Sequence, residues 1–292
     1  MDQFLQQLVN GLSLGSIYAL IALGYTMVYG IIKLINFAHG DIYMLGAYIG
    51  FVVITTFNLG FFPAILISMA SCALIGVVIE RIAYKPLRKA TRIAALITAI
   101  GVSYFLQAVV QKVMGTGVKT FPAVLSQWSV NVFGITMQST QIYIFATTIL
   151  LMFVLQFIVK KTKIGRAMRA VSVDADAACL MGINVDRTIS YTFAIGSALA
   201  GAAGVLVGLY YNTINPLMGQ LPGVKAFIAA VFGGIGIIPG AMFGGFFIGI
   251  VETLVSGYGS SLYKDAVVYI ILIVILIIKP AGLLGKNKKE KV

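Results

Sequence analysis

Four polar residues stand where the surrounding chain is apolar, and any chemistry has to start from them. Asn36, His39 and Asp41 fall close together in INFAHGDIYMLGAY, and Glu252 follows Gly244 on a glycine-rich apolar run. Ionisable groups at membrane depth mark solute pathways, relays or gates. Asn36, His39, Asp41 and Glu252 are therefore candidates for the lining or gate of a translocation pathway. A plainer reading of 36–41 is a capped helix start near the membrane interface. Asn36 would then satisfy free N–H groups, and Asp41 would favour the helix N-terminus. For Glu252 the plainer reading is an interfacial acid, and a pairing with Lys225 is a further option.

Other chemistry is not encoded. His39 is the single histidine, and Cys72 and Cys179 lie on apolar or near-apolar stretches with no metal or disulfide spacing. There is no H-E-x-x-H, no G-x-S-x-G and no G-x-x-x-x-G-K-[ST]. The segment MGTGVKT at 114–120 lacks the Gly-Lys-Ser/Thr ending that cradles phosphates. No catalytic residue, metal or cofactor is expected on this chain, and any use of ATP needs a partner protein.

The elements that hold these residues are membrane helices. Hydrophobic residues make up 60% of the 292 and charged residues 10%, against roughly 25% charged in a soluble domain. The expected fold is an all-α, polytopic helix bundle of about 8–10 transmembrane segments, some short or broken. It forms a single domain over 1–292. Nine segments are read, at 4–32, 36–56, 63–82, 93–113, 141–160, 188–211, 225–238, 240–257 and 265–284, each helical because backbone groups in lipid must pair internally. The opening MDQFLQQLVNG carries an acid and no Lys or Arg, so the first segment is expected to be kept rather than cleaved.

The first segment runs to roughly 43 Å as a helix, longer than the hydrocarbon core. It must tilt or break, with Asn10-Gly11 and Gly24 as candidate breaks. The seventh and eighth segments are joined by GGIGIIPG and read as either two thin spans or a re-entrant hairpin.

The net charge of +12 would suggest nucleic acid, but the basic residues sit in short clusters between apolar runs. That is the positive-inside pattern. Lys85, Arg88, Lys89 and Arg92 form one cluster, and Lys160, Lys161, Lys163, Arg166, Arg169 and Arg187 a second. Lys286, Lys288, Lys289 and Lys291 form the third. All three are expected in the cytoplasm, which places the N-terminus outside and the C-terminus inside. Small residues at spacings of four (Gly196, Ala200, Gly204 and Gly208, then Gly236, Gly240 and Gly244) supply smooth faces for close helix packing.

The longest charged cytoplasmic stretch, 161–187, reads as a basic run and then a short helix. Asp174 and Asp176 stand at its N-terminus and Gly182 at its stop. Ala175, Ala178, Cys179 and Gly182 share a small face, and Leu180, Met181 and Ile183 add apolar knobs. Such a helix suits docking on another protein, and equally suits folding back onto its own bundle.

The stretches GLSLGSIYALIALGYTMVYGIIKLINFAHGDIYMLGAY at 11–48, ERIAYKPLR at 80–88, GRAMRA and DADAACLMGINVDR within 165–187, TFAIGSALAGAAGVLVG at 192–208 and GVKAFIAAVFGGIGIIPGAMFGG at 223–245 together resemble the inner-membrane permeases of branched-chain amino-acid ABC importers, the LivH type. The resemblance implies that 161–187 is a coupling loop. Its helix from Ala175 to Ile183 would fit a groove on the ATPase, flanked by Arg166 and Arg169. It also implies a sister permease, two ATP-binding subunits carrying ATP and Mg, and an extracytoplasmic amino-acid-binding protein, in a bacterial cytoplasmic membrane. The substrate is the open point, since relatives of this kind carry other amino acids or urea. An ion-driven secondary transporter, a passive channel and a membrane scaffold are the rivals.

Overall fold

The computed structural model describes residues 2–88, 90–132 and 135–285, so Lys89, Lys286, Lys288, Lys289 and Lys291 of the basic clusters lie outside it. The chain is a bundle of helices: α1 (Asp2–Ile32), α2 (His39–Phe57), α3 (Phe61–Ile79), α4 (Arg92–Met114), α5 (Ser139–Lys161), α6 (Lys163–Val173), α7 (Ala175–Leu180), α8 (Val185–Tyr211), α9 (Gln220–Gly233), α10 (Ile238–Tyr258) and α11 (Lys264–Ile278). Seven of them are long and apolar enough to cross a bilayer, while α9 is a shorter apolar helix. This is a multi-pass membrane protein. The little sheet present is a hairpin, β2 (Ser129–Val132) with β3 (Ile135–Gln138), and a two-residue pairing of β1 (Lys119–Thr120) with β4 (Thr213–Ile214).

α1, α2, α8 and α10 make the centre. α1 is buried almost continuously from Gly11 to Met27, whereas α3, α4 and α5 turn Leu66, Leu74, Ile97, Phe105, Phe153 and Phe157 outward. An apolar face costs nothing against lipid tails, so these outer helices need no polar side. The first segment is one unbroken helix. Asn10 does not break it, because its side chain leaves the helix to accept from Gln141 Nε2 at 2.8 Å.

Backbone approaches explain where the small residues go. On α10, Gly245 and Gly249 lie against Ala19 and Gly15 of α1, while Gly240 and Gly244 face Gly233 and Ala229 of α9. On α8 the stripe is shared among three neighbours. Gly196 meets Gly24 of α1, Gly204 meets Tyr43 and Ala47 of α2, and Gly208 meets the ring of Phe121. Gly236 differs from its expected place on a helix. It lies in the turn between α9 and α10, at φ 92°, facing Gly30.

That turn decides the form of 225–257. α9 is about 21 Å long, too short for a hydrocarbon core near 30 Å, and α10 returns antiparallel beside it. The end of α1, the α9–α10 turn, the end of α5 and the segment 279–285 gather at one end of the bundle. Leu283 and Leu284 donate N–H to the carbonyls of Phe232 and Gly233, and Gly30 faces Gly236. The described basic residues of 85–88 and 160–187 also collect at this end, whereas Lys119 and the β hairpin lie at the other.

Candidate functional site

α1 ends at Lys33, which takes the left-handed conformation at φ 56° and turns the chain back. The six residues 33–38 then climb beside α1 instead of staying at its end. His39, the first residue of α2, packs against Gly24. Gly24 is eight residues before Ile32, about 12 Å up the helix axis. The start of α2 is therefore inside the bundle and not at the interface. Asn36 does not cap it. The residue before α2 is Ala38, which makes no side-chain cap bond, and Asn36 Oδ1 instead accepts from the Tyr84 hydroxyl at 2.8 Å. Asn36, His39 and Asp41 are all buried, and the His39 ring meets Tyr25 edge-on at 4.8 Å.

α9 begins at the same depth. After α8 ends at Tyr211 the chain pairs briefly as β4 and then descends, so that Gly219 and Gly223 rest on Gly40. A methyl group on Gly40 or on Gly219 would overlap the other's backbone. Two helices that run toward opposite ends of the bundle thus start from one contact within it.

A polar chain surrounds that contact. Gln107 of α4 donates from Nε2 to Asp41 Oδ1 at 2.8 Å and to Ser103 Oγ at 3.2 Å. Its Oε1 accepts from Gln220 Nε2, on the first residue of α9, at 3.2 Å. Gln107 and Gln220 carry no motif, and only the fold brings them to Asp41. A glutamine midway along a largely apolar helix is the one signal the sequence offered for Gln107.

Glu252 sits elsewhere. Its Oε1 lies 2.6 Å from Lys225 Nζ and 3.5 Å from Lys264 Nζ, and its Oε2 accepts from the Tyr18 hydroxyl at 2.8 Å. Lys225 also reaches Asp265 Oδ1 at 2.6 Å. The cluster ties α1, α9, α10 and α11 together, so Glu252 is placed as a tie between helices. The structure does not bring it to Asn36, His39 and Asp41.

A third buried acid escaped the sequence reading. Glu80 ends α3, where the helix widens for one π turn (Glu80–Tyr84). Its carboxylate takes Arg88 on one oxygen and the Ser190 hydroxyl on the other, at 2.7 Å. Arg88 also reaches Asp186 Oδ1 at 2.5 Å, and Lys85 reaches Oδ2 at 2.7 Å. These bonds lock 80–88 onto the start of α8, where the 161–187 segment ends. The signal available was the spacing of Glu80 and Arg88 within ERIAYKPLR.

The 161–187 segment folds as α6 and α7. Arg169 donates to the carbonyl of Val159 at the end of α5, and Arg166 is exposed. Asp174 caps α7, its Oδ1 accepting from the N–H groups of Asp176 and Ala177 at 2.9 Å each. The helix closes with a Schellman pair: Gly182 N–H to Cys179 O at 2.9 Å, and Ile183 N–H to Ala178 O at 3.0 Å, with Gly182 at φ 81°. Ala178 is buried, Ala175 and Asp176 are exposed, and Leu180 and Met181 are 89% and 83% exposed. Two large apolar side chains therefore project from a helix end that carries its own caps at both termini. Further off, a polar cavity of about 800 Å³ opens at the opposite end of the bundle, lined by Gln6, Asn10, Trp128, Gln141 and Tyr210 among others.

Known proteins are similar to this sequence over nearly its whole length. Residues 7–276 match the family model described as branched-chain amino acid transport system / permease component. The high-affinity branched-chain amino acid transport system permease protein LivH of Escherichia coli (strain K12) is 47% identical over 305 residues, covering 99% of this chain and 98% of that one. The corresponding protein BraD of Pseudomonas aeruginosa is 46% identical with the same coverage. The probable permease protein LivH of Methanocaldococcus jannaschii is 30% identical over 94% of this chain and 90% of its own. The chain belongs to the permease-component family of branched-chain amino acid transport systems.

Proposed function

We propose that this chain is one membrane-spanning subunit of an ATP-driven importer, and that its solute is a branched-chain or related hydrophobic amino acid. The full-length likeness to permeases named for that transport, at 46–47% identity, carries the reading. The chain itself brings no phosphate loop, so ATP and Mg are held by two partner ATP-binding subunits. A sister permease completes the pathway, and an extracytoplasmic binding protein delivers the amino acid. The basic end of the bundle faces the cytoplasm of a bacterial cell, across its inner membrane, with the N-terminus outside.

In this reading α7 is the docking element. Leu180 and Met181 enter an apolar groove on the ATPase, with Arg166 and Asp176 at the rim. Closure of the ATPases on ATP displaces α7. The bonds from Asp186 to Arg88 and Lys85, and from Arg88 to Glu80, carry that displacement into α8 and α3. The two ends of the pathway then open in turn, which requires that α7 makes different contacts in the two states.

The test is co-purification in mild detergent with mass spectrometry, followed by uptake into proteoliposomes loaded with ATP. A second permease, an ATPase pair and ATP-dependent leucine uptake are expected. Uptake that continues without ATP and collapses with an ion gradient overturns the reading.

A further inference from the structure

Three acids are buried among the described residues: Glu80, Glu252 and Asp41. Glu80 is paired with Arg88, and Glu252 with Lys225. Asp41 is 2% exposed and has no Lys, Arg or His paired with it among the described residues. An amide, Gln107 Nε2, donates to it. A buried carboxyl group without a counter-charge takes up a proton or, where it stays ionised, costs several kcal/mol even after relaxation, of which neutral donors offset only part. The other two buried acids show how this fold normally meets the cost.

The surroundings of Asp41 indicate what supplies the charge. Gln220, bonded to Gln107, is exposed on the chain's surface at the depth of the α2–α9 contact. Facing lipid there, the second N–H of this amide would go unsatisfied, so this face meets water or another subunit. Beside Gln220 on the same exposed stretch are Leu217, Leu221 and Val224, all open to the surface. Gln107 thus links the buried Asp41 to Gln220, and Gln220 shares one exposed stretch with three branched aliphatic side chains.

Resting on the proposed function, we infer that Asp41, Gln107 and Gln220 form a transient binding site for the α-ammonium end of a zwitterionic amino acid, with Leu217, Leu221 and Val224 receiving its apolar side chain. The ammonium supplies the missing counter-charge to Asp41 through charge-assisted hydrogen bonds. The Gln220 amide has a remaining N–H for the substrate's carboxylate. The solute is selected here a second time, after its release from the binding protein.

The complete importer is reconstituted in liposomes with wild-type, Asp41→Asn and Gln220→Ala permease. Wild-type uptake of leucine, isoleucine or valine tests the proposed function by itself; if none is taken up, that reading fails whatever the variants do. Given wild-type uptake, Asp41→Asn is expected to slow leucine transport at least about tenfold, the value of one charge-assisted bond. ATPase subunits should remain bound. Gln220→Ala, at an exposed position, is expected to slow it about threefold, which also serves if Asp41→Asn does not assemble. Saturation-transfer NMR on the importer without its binding protein uses L-leucine and 2-hydroxy-4-methylpentanoate, which has a hydroxyl in place of the ammonium. Leucine should give a signal that the hydroxy acid does not give and that Asp41→Asn loses. Wild-type transport by both variants, or equal signals from the two probes, overturns the inference.

Discussion

Lys225 and Glu252 meet at 2.6 Å with only 5% and 3% of their side chains exposed, joining α9 to α10 at a depth where neither is hydrated. Losing Glu252 leaves the buried Lys225 with Asp265 alone, while replacing both Lys225 and Glu252 with neutral groups removes their desolvation cost together with the attraction. Glu252→Gln should therefore destabilise the protein by about 2 kcal/mol. The double variant Lys225→Met/Glu252→Gln should recover at least half of that, since Asp265 is partly exposed and can be hydrated. Thermal unfolding in detergent reads both. A double variant as unstable as the sum of its singles rules out this account.

The same logic separates the two acids that hold Arg88. Glu80 is fully buried and Asp186 is half exposed. Glu80→Gln is expected to cost several times more stability than Asp186→Asn, whose loss should stay below about 1 kcal/mol. Equal losses by thermal unfolding would show that burial is not what distinguishes them.

Two glycines in membrane helices should respond oppositely to a methyl group. At Gly46 a Cβ would come 2.5 Å from the Cα of Gly201, backbone against backbone, whereas at Gly101 nothing lies within 4 Å. Gly46→Ala should lower stability by about 1–3 kcal/mol. Gly101→Ala should leave it unchanged or raise it by up to about 1 kcal/mol, the helix preference of alanine. Unfolding midpoints of the two variants, measured side by side, decide the point.

At α7, structure and docking can be separated. Leu180→Asp and Met181→Asp change exposed side chains and should leave stability within about 0.5 kcal/mol, yet reduce co-purification of the ATPase pair. Gly182→Val acts on the helix itself, because a β-branched residue at φ 81° is strained by about 1–2 kcal/mol. It should speed amide exchange across 175–183. Full ATPase recovery with all three variants removes α7 from the docking surface.

The bundle, its apolar helices and the capped α7 were legible because each is written locally, as run length, as Asp174 ahead of a short helix and as Gly182 behind it. Spacing of four in α10 predicted a smooth face, but not that Gly240 and Gly244 turn to α9 while Gly245 and Gly249 turn to α1. Whether Lys225 reaches Glu252 depends on how far α9 descends, and no local signal carries that. The start of α2 was misplaced for the same reason. INFAHGD has the residues of an ordinary cap, and its depth is set by Lys33 reversing the chain and by Gly24 leaving room for the His39 ring. The Asp41, Gln107 and Gln220 group spans three distant segments, and no local signal joins Gln107 or Gln220 to Asp41.

The contact of Gly40 with Gly219 has a mechanical meaning. Side chains between two helices act as a cushion, because rotamers can absorb a shift of an ångström. Here two backbones touch with nothing between them, so a push along α9 from one end of the bundle reaches α2 undamped and emerges at the other. A joint of this kind is stiff in compression. It lets a small displacement at one membrane surface be felt at the opposite one without a continuous helix to carry it.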